Sequence, residues 1–71
     1  MVNTRALSLG ENRVRYLFNP DGDEDVTRIK QETAALIDFC ESLKERDGRL
    51  AALAQTAYEE AAMWAVKAAT A

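Results

Sequence analysis

Two runs of roughly twenty residues, each with apolar or small side chains returning at the three- and four-residue spacing of one helical face, are separated in this chain by only Asp47, Gly48 and Arg49. Few folds accommodate that pattern. In the first run, about Glu24 to Arg46, the recurring positions are Val26, Ile29, Thr33, Leu36, Ile37, Cys40 and Leu43. The acidic residues Asp23, Glu24 and Asp25 open the run and Lys44 and Arg46 close it, the order that the helix dipole favours. In the second, about 50–70, the recurring positions are Leu50, Leu53, Ala57, Ala61, Trp64 and Ala68. Two such helices, each near ~30 Å at 1.5 Å per residue, joined by a turn at 47–49, run antiparallel. The expected fold class is therefore all-α, an antiparallel two-helix hairpin over residues 20–71. Residues 1–19 precede it as an extended arm or short helical segment, in which Arg5, Arg13 and Arg15 set a local positive balance. The stretch NPDGD at 19–23 combines Asn-Pro and Asp-Gly, both turn signals, between arm and hairpin.

A chain of 71 residues is one small domain, and a domain of this size buries only roughly 60% of its unfolded surface, so its own core is marginal. Cys40 is the only cysteine and there is no histidine, so neither a disulfide nor a Cys/His zinc site can reinforce it. Self-association is the remaining route. The back of the second helix points the same way: it is polar at Gln55, Thr56 and Glu59, then apolar at Ala62, Met63 and Val66. A helix apolar all round is normally a buried one, and one partner helix cannot cover both sides. Alanines at 51, 52, 54, 57, 61, 62, 65, 68 and 69 let helices approach closely. An obligate compact homo-oligomer is expected.

The lone thiol, and the lack of both an apolar leader and a membrane-length apolar stretch, suit a soluble, intracellular protein. Nine basic residues against twelve acidic give a net charge of −3, unsuited to generic DNA or RNA binding, which relies on a broad positive field. Catalysis is not expected either. No Cys-His or Ser-His pair is possible, and no glycine-rich phosphate loop is present. The carboxylates Asp23, Glu24 and Asp25 read as first-turn dipole partners, and Glu59 and Glu60 as solvated or paired across subunits.

The residues suited to a ligand lie in three places. In the arm, Tyr16 and Phe18 lie with Arg13 and Arg15, a mix of flat rings and guanidinium groups that suits bases and phosphates together. Phe18 also reads as a hydrophobic staple on the start of helix one. Lys30 stands beside the first stripe, flanked by Val26, Thr33 and Ile37, where its chain either snorkels outward or enters a subunit junction. Lys67 shares a side of helix two with Thr56, Met63 and Thr70. A buried ammonium there needs an anion, Glu60 or a ligand phosphate. Alternatively, Lys67 complements the C-terminal dipole.

The combination RYLFNPDGDEDVTRIKQETAALID followed by LAALAQTAYEEAAMWAVKAATA resembles the hairpin domain of the phage anti-CBASS and anti-Thoeris sponge family over about residues 13–71. Its most specific pieces are FNPDGD with Val26, Arg28, Ile29 and Lys30, and MWAVKA at 63–68. The resemblance implies a hexamer of hairpins that takes cyclic dinucleotides in pockets between subunits. It also implies cyclic trinucleotides, or the cyclic ADP-ribose isomers of the anti-Thoeris branch, as further ligand classes, held without cleavage and without a cofactor in the cytoplasm of the infected host. By this likeness Tyr16 matches a tyrosine that stacks on a nucleobase and Lys30 a lysine that meets a phosphate. Lys67 matches a basic residue, usually arginine, facing phosphates at the trinucleotide site, with Thr70 close by. Arg15, Phe18, Asn19 of the FNP stretch, and Thr33 beside Lys30 complete the expected ligand-binding set. The competing expectations are a structural or regulatory helical oligomer that binds a host or phage protein, and a dimeric nucleic-acid binder.

Overall fold

The computed structural model describes residues 6–19 and 21–71, and the expectations that fall on residues 1–5, Arg5 among them, and on Pro20 lie outside the described residues. The described residues form three helices and no strand: α1 (Leu9–Arg13), α2 (Glu24–Leu43) and α3 (Gly48–Ala69). Each starts at a side chain that satisfies amides the first turn leaves unpaired. Ser8 Oγ accepts from the Glu11 amide while Glu11 Oε1 accepts from the Ser8 amide, a reciprocal capping box. Asp23 Oδ1 accepts from the amides of Asp25 and Val26, and Asp47 Oδ1 from that of Leu50. Because Asp47 caps α3, Gly48 is the first residue of that helix rather than the stop of the one before. The connection is accordingly 44–47, and Lys44 pairs with Glu41 at 2.9 Å at the end of α2.

α2 and α3 pack against one another, and α1 packs on α2. Near the connecting turn, Gln55 Nε2 donates to Ile37 O and to Glu41 Oε1 at 3.0 and 2.9 Å. Farther from it, Ala62 joins Ala34, Ile37 and Val14 in the core, with Tyr16, Ile29 and Tyr58 packed around them. The whole is a slab only 12 Å across its thinnest dimension. That is about one helix diameter, so no helix is enclosed on all sides.

On α2 the inner face keeps Val26, Ile37 and Cys40 of the stripe the periodicity marks but shifts toward Lys30 and Ala34; on α3 it lies elsewhere altogether. On α2 the buried positions are Val26, Lys30, Ala34, Ile37 and Cys40, so the inner line runs through Lys30 and Ala34, whereas Leu36 is exposed. On α3 the side turned toward α2 carries Ala51, Gln55 and Ala62. Leu50, Leu53 and Trp64 of the expected stripe are instead 57%, 54% and 61% exposed. The physical reason is distance of approach. Alanine on both helices allows close packing and a buried amide can bridge to α2, so the small residues take the inner side and the large ones remain outside. Gln55, expected on a polar back, is fully buried, with Oε1 lacking a hydrogen-bond partner among the described residues.

The position of α1 depends on one glycine. The Gly10 amide donates to Asp38 Oδ1 at 2.7 Å, and a Cβ at Gly10 would stand 2.1 Å from Ala34 O and 2.8 Å from its carbonyl carbon. Both are backbone atoms and cannot swing away. Gly10→Ala is therefore expected to lift α1 from α2 and to destabilise the chain by about 2 to 3 kcal/mol, the upper part of the overpacking range. Urea denaturation of the two proteins checks this, and equal midpoints would show that α1 contributes little to the fold.

Candidate functional site

Lys30 lies on the inner line of α2, one turn after Val26 and one before Ala34. Its side chain neither snorkels outward nor needs a second subunit to be buried: the residue is only 6% exposed within the single chain. A buried ammonium requires acceptors, and the arm supplies them. After α1 the chain turns through residues 14–17, where Arg15 adopts φ 56°, a left-handed conformation uncommon outside glycine. Lys30 Nζ donates to Arg15 O at 2.8 Å and also to Phe18 O. One lysine thus fastens the turn to α2. Burial pushes the Lys30 pKa down, and the nearby Arg15 charge lowers it further.

An ammonium has three N–H donors, and these carbonyls engage two. Phe18 lies over this group, with the Arg15 guanidinium 4.8 Å and Lys30 Nζ 5.6 Å from its ring centroid. The ring is 58% exposed, so it does not act as a staple on the start of α2; it is held by the two cations. A cavity of about 250 Å³ opens beside it, lined by Arg13, Val14, Arg15, Phe18 and Lys30 from the arm and α2, and by Glu59, Ala62, Met63 and Val66 from α3. A second cavity shares Phe18, Lys30 and Val66 with the first and adds Asn19, Asp21, Asp23, Val26 and Thr70.

Arg15, Phe18 and Lys30 are thus brought to the first cavity, and Phe18, Asn19, Lys30 and Thr70 to the second. Asn19 also clamps the turn before α2: its Oδ1 accepts from the Asp23 amide, and its Nδ2 donates to Asp23 O and Thr27 Oγ1. Thr70 Oγ1 donates back to Val66 O. Three expected residues lie outside both cavities. Tyr16 is half-buried against the core, its hydroxyl accepting from Gln31 Nε2 at 3.3 Å. Thr33 is half-buried and donates to Ile29 O at 2.6 Å. Lys67 is exposed, with Nζ 5.7 Å from the Trp64 ring centroid, while the Trp64 indole donates to Glu60.

Two polar residues in the first cavity were not in the expected ligand set. Arg13 Nε donates to Glu59 Oε1 at 2.6 Å, and Arg13 Nη2 to Thr56 Oγ1 at 3.2 Å. Within its own chain Glu59 is therefore paired with Arg13 rather than left to solvent alone. The grouping of arginine and aromatic residues in the arm pointed at Arg13, but no local pattern tied it to a residue 46 positions away. Among the described residues no group of His, Cys, Asp and Glu could hold a metal ion, and no helix is long and apolar enough to cross a membrane.

The family described as Acb2/Tad1, hairpin domain, matches residues 10–70 of this chain. No curated protein and no solved structure gives a significant match.

Proposed function

The chain belongs to the Acb2/Tad1 hairpin-domain family, and on that premise we propose that it is a phage anti-defence sponge that captures cyclic nucleotide messengers without cleaving them. The observation that carries this reading is the buried Lys30 ammonium, held by the Arg15 and Phe18 carbonyls at a cavity lined by the guanidinium groups of Arg13 and Arg15, the Phe18 ring and the aliphatic Met63 and Val66. Such a site suits an anionic group joined to a planar ring. Cations receive the phosphate, and Phe18, Met63 and Val66 cover the base. At about 250 Å³ the cavity falls below the usual range of ~300 to 1,000 Å³ for small-molecule sites, enough for one nucleotide unit. A cyclic dinucleotide would need a second copy of the chain to complete its enclosure.

The outer side of α3 supplies the means. Leu50, Leu53 and Trp64, with Leu36 and Phe39 of α2, are large apolar side chains left uncovered. Apolar exposure on that scale marks an association surface. In this reading α2 and α3 form the antiparallel hairpin, and several hairpins, six by the family's likeness, bury their outer faces in one assembly. Lys67 and Thr70, near the C-terminal end of α3, would then meet a cyclic trinucleotide at a separate site, and Tyr16 would stack on a base presented at a subunit boundary. The host cytoplasm is where such a protein would act.

Calorimetric titration of the purified assembly with cyclic dinucleotides, cyclic trinucleotides and cyclic ADP-ribose isomers tests the proposal. The expected result is saturation below one ligand per subunit, with intact ligand recovered after denaturation. Recovery of hydrolysed ligand would replace capture by catalysis. Heat from none of them would leave the exposed apolar face as the leading feature, and a structural or regulatory oligomer as the better reading.

A further inference from the structure

Among the described residues, Glu59 is the one carboxylate lining a cavity whose other charged groups, Arg13, Arg15 and Lys30, are cationic. Its ion pair with Arg13 accounts for its place there, and since it would repel phosphates, any ligand group that reaches it must present donors. Its geometry leaves it able to accept them. Arg13 does not close on it with both prongs: Nε takes Glu59 Oε1, while Nη2 turns to Thr56 Oγ1. Glu59 Oε2 has no hydrogen-bond partner among the described residues, and the side chain is 35% exposed. Glu59, Ala62, Met63 and Val66 of α3 line the same cavity as the arm residues Arg15 and Phe18. A nucleotide with its phosphate at Lys30 and Arg15 and its ring against Met63 and Val66 would turn its base edge toward Glu59.

We propose that Glu59, oriented by Arg13, selects ligands carrying a guanine-type base. Guanine offers two adjacent donors, the ring N1–H and the exocyclic amino group, which match the two oxygens of a carboxylate. Adenine offers an amino donor beside a bare ring-nitrogen lone pair, and that lone pair facing a carboxylate is repulsive. The inference rests on the proposed capture of cyclic nucleotides at this cavity and adds the base class to it.

The test is titration of the full-length chain and its Glu59→Gln variant with cyclic diguanylate and cyclic diadenylate, with circular dichroism to show that both proteins are equally helical. The wild type is expected to prefer the guanine ligand by about 10-fold or more, the discrimination of a two-pronged base contact. Glu59→Gln, whose amide keeps one acceptor and gains a donor, should erase or reverse that preference, because it loses one of the two guanine contacts and now complements the amino donor and ring-nitrogen acceptor of adenine. Equal affinities in the wild type, or an equal loss of both ligands in the variant, would overturn the base assignment and leave capture standing. Failure of the wild type to bind either would overturn the base assignment, and capture itself would then be decided by the cyclic trinucleotide and cyclic ADP-ribose titrations.

Discussion

Lys30→Met is expected to abolish nucleotide binding, with a loss of at least about 100-fold, while the packing of α2 on α3 survives. Methionine has a similar unbranched length and fills irregular apolar space well, so the inner line Val26, residue 30, Ala34 stays filled. What disappears is the cation. The carbonyls of Arg15 and Phe18 lose their common donor, and hydrogen bonds to charged groups contribute about 1.5 to 3 kcal/mol each. Removing a desolvated charge offsets part of that loss, so global stability should change by less than the sum. The locally strained turn at Arg15 would no longer be fastened to α2, and residues 14–19 should relax into solvent. Titration with the best wild-type ligand, together with amide hydrogen exchange, separates the two effects. Faster exchange confined to residues 14–19 and lost binding are expected. Retained binding would remove Lys30 from the site, and unchanged exchange would show that the turn holds itself.

The second large effect is expected from the outer face of α3. Leu53→Lys with Trp64→Lys places two charges where the single chain has large apolar side chains more than half exposed. Neither residue belongs to the buried core, so the isolated chain should keep its helices. Full burial of such a side chain contributes roughly 1.5 to 3 kcal/mol, and a lysine in its place adds a charge that must be desolvated or expelled. Each contact through this face should weaken by a factor of 100 or more, by these magnitudes, and the assembly should fall to monomers. Light scattering at matched concentration reads the mass directly. An unchanged mass would mean that the copies associate through another surface. Nucleotide binding should fall with the mass if the ligand is enclosed by two copies, and persist if one chain suffices.

Much of this architecture is local and was therefore legible. Asp23 before an acidic first turn, the apolar recurrence from Val26 to Leu43, and the short break near Gly48 define where helices form, because capping and a 3.6-residue period act over neighbouring residues. The absence of histidine and the single cysteine, read directly from the sequence, disfavoured nucleophilic catalysis, and the arm's arginines and aromatic residues pointed to an anionic ring ligand. Lys30 drew notice by its place beside the apolar stripe, but its role as a phosphate partner came only from the family likeness.

Which way each helix faces was a different matter. Periodicity reveals that a stripe exists and says nothing about what covers it. In a slab 12 Å thick there is more apolar stripe than interior, so residues compete for the inside. Ala51, Gln55 and Ala62 take it by allowing close approach, and Leu50, Leu53 and Trp64 are left for another surface. The tertiary structure alone decided that Lys30 turns inward to two arm carbonyls, that Gly10 seats α1 on Ala34, and that Arg13 reaches Glu59. Each of those contacts joins residues 12 to 46 positions apart, and no local pattern of side chains encodes a partner at that range.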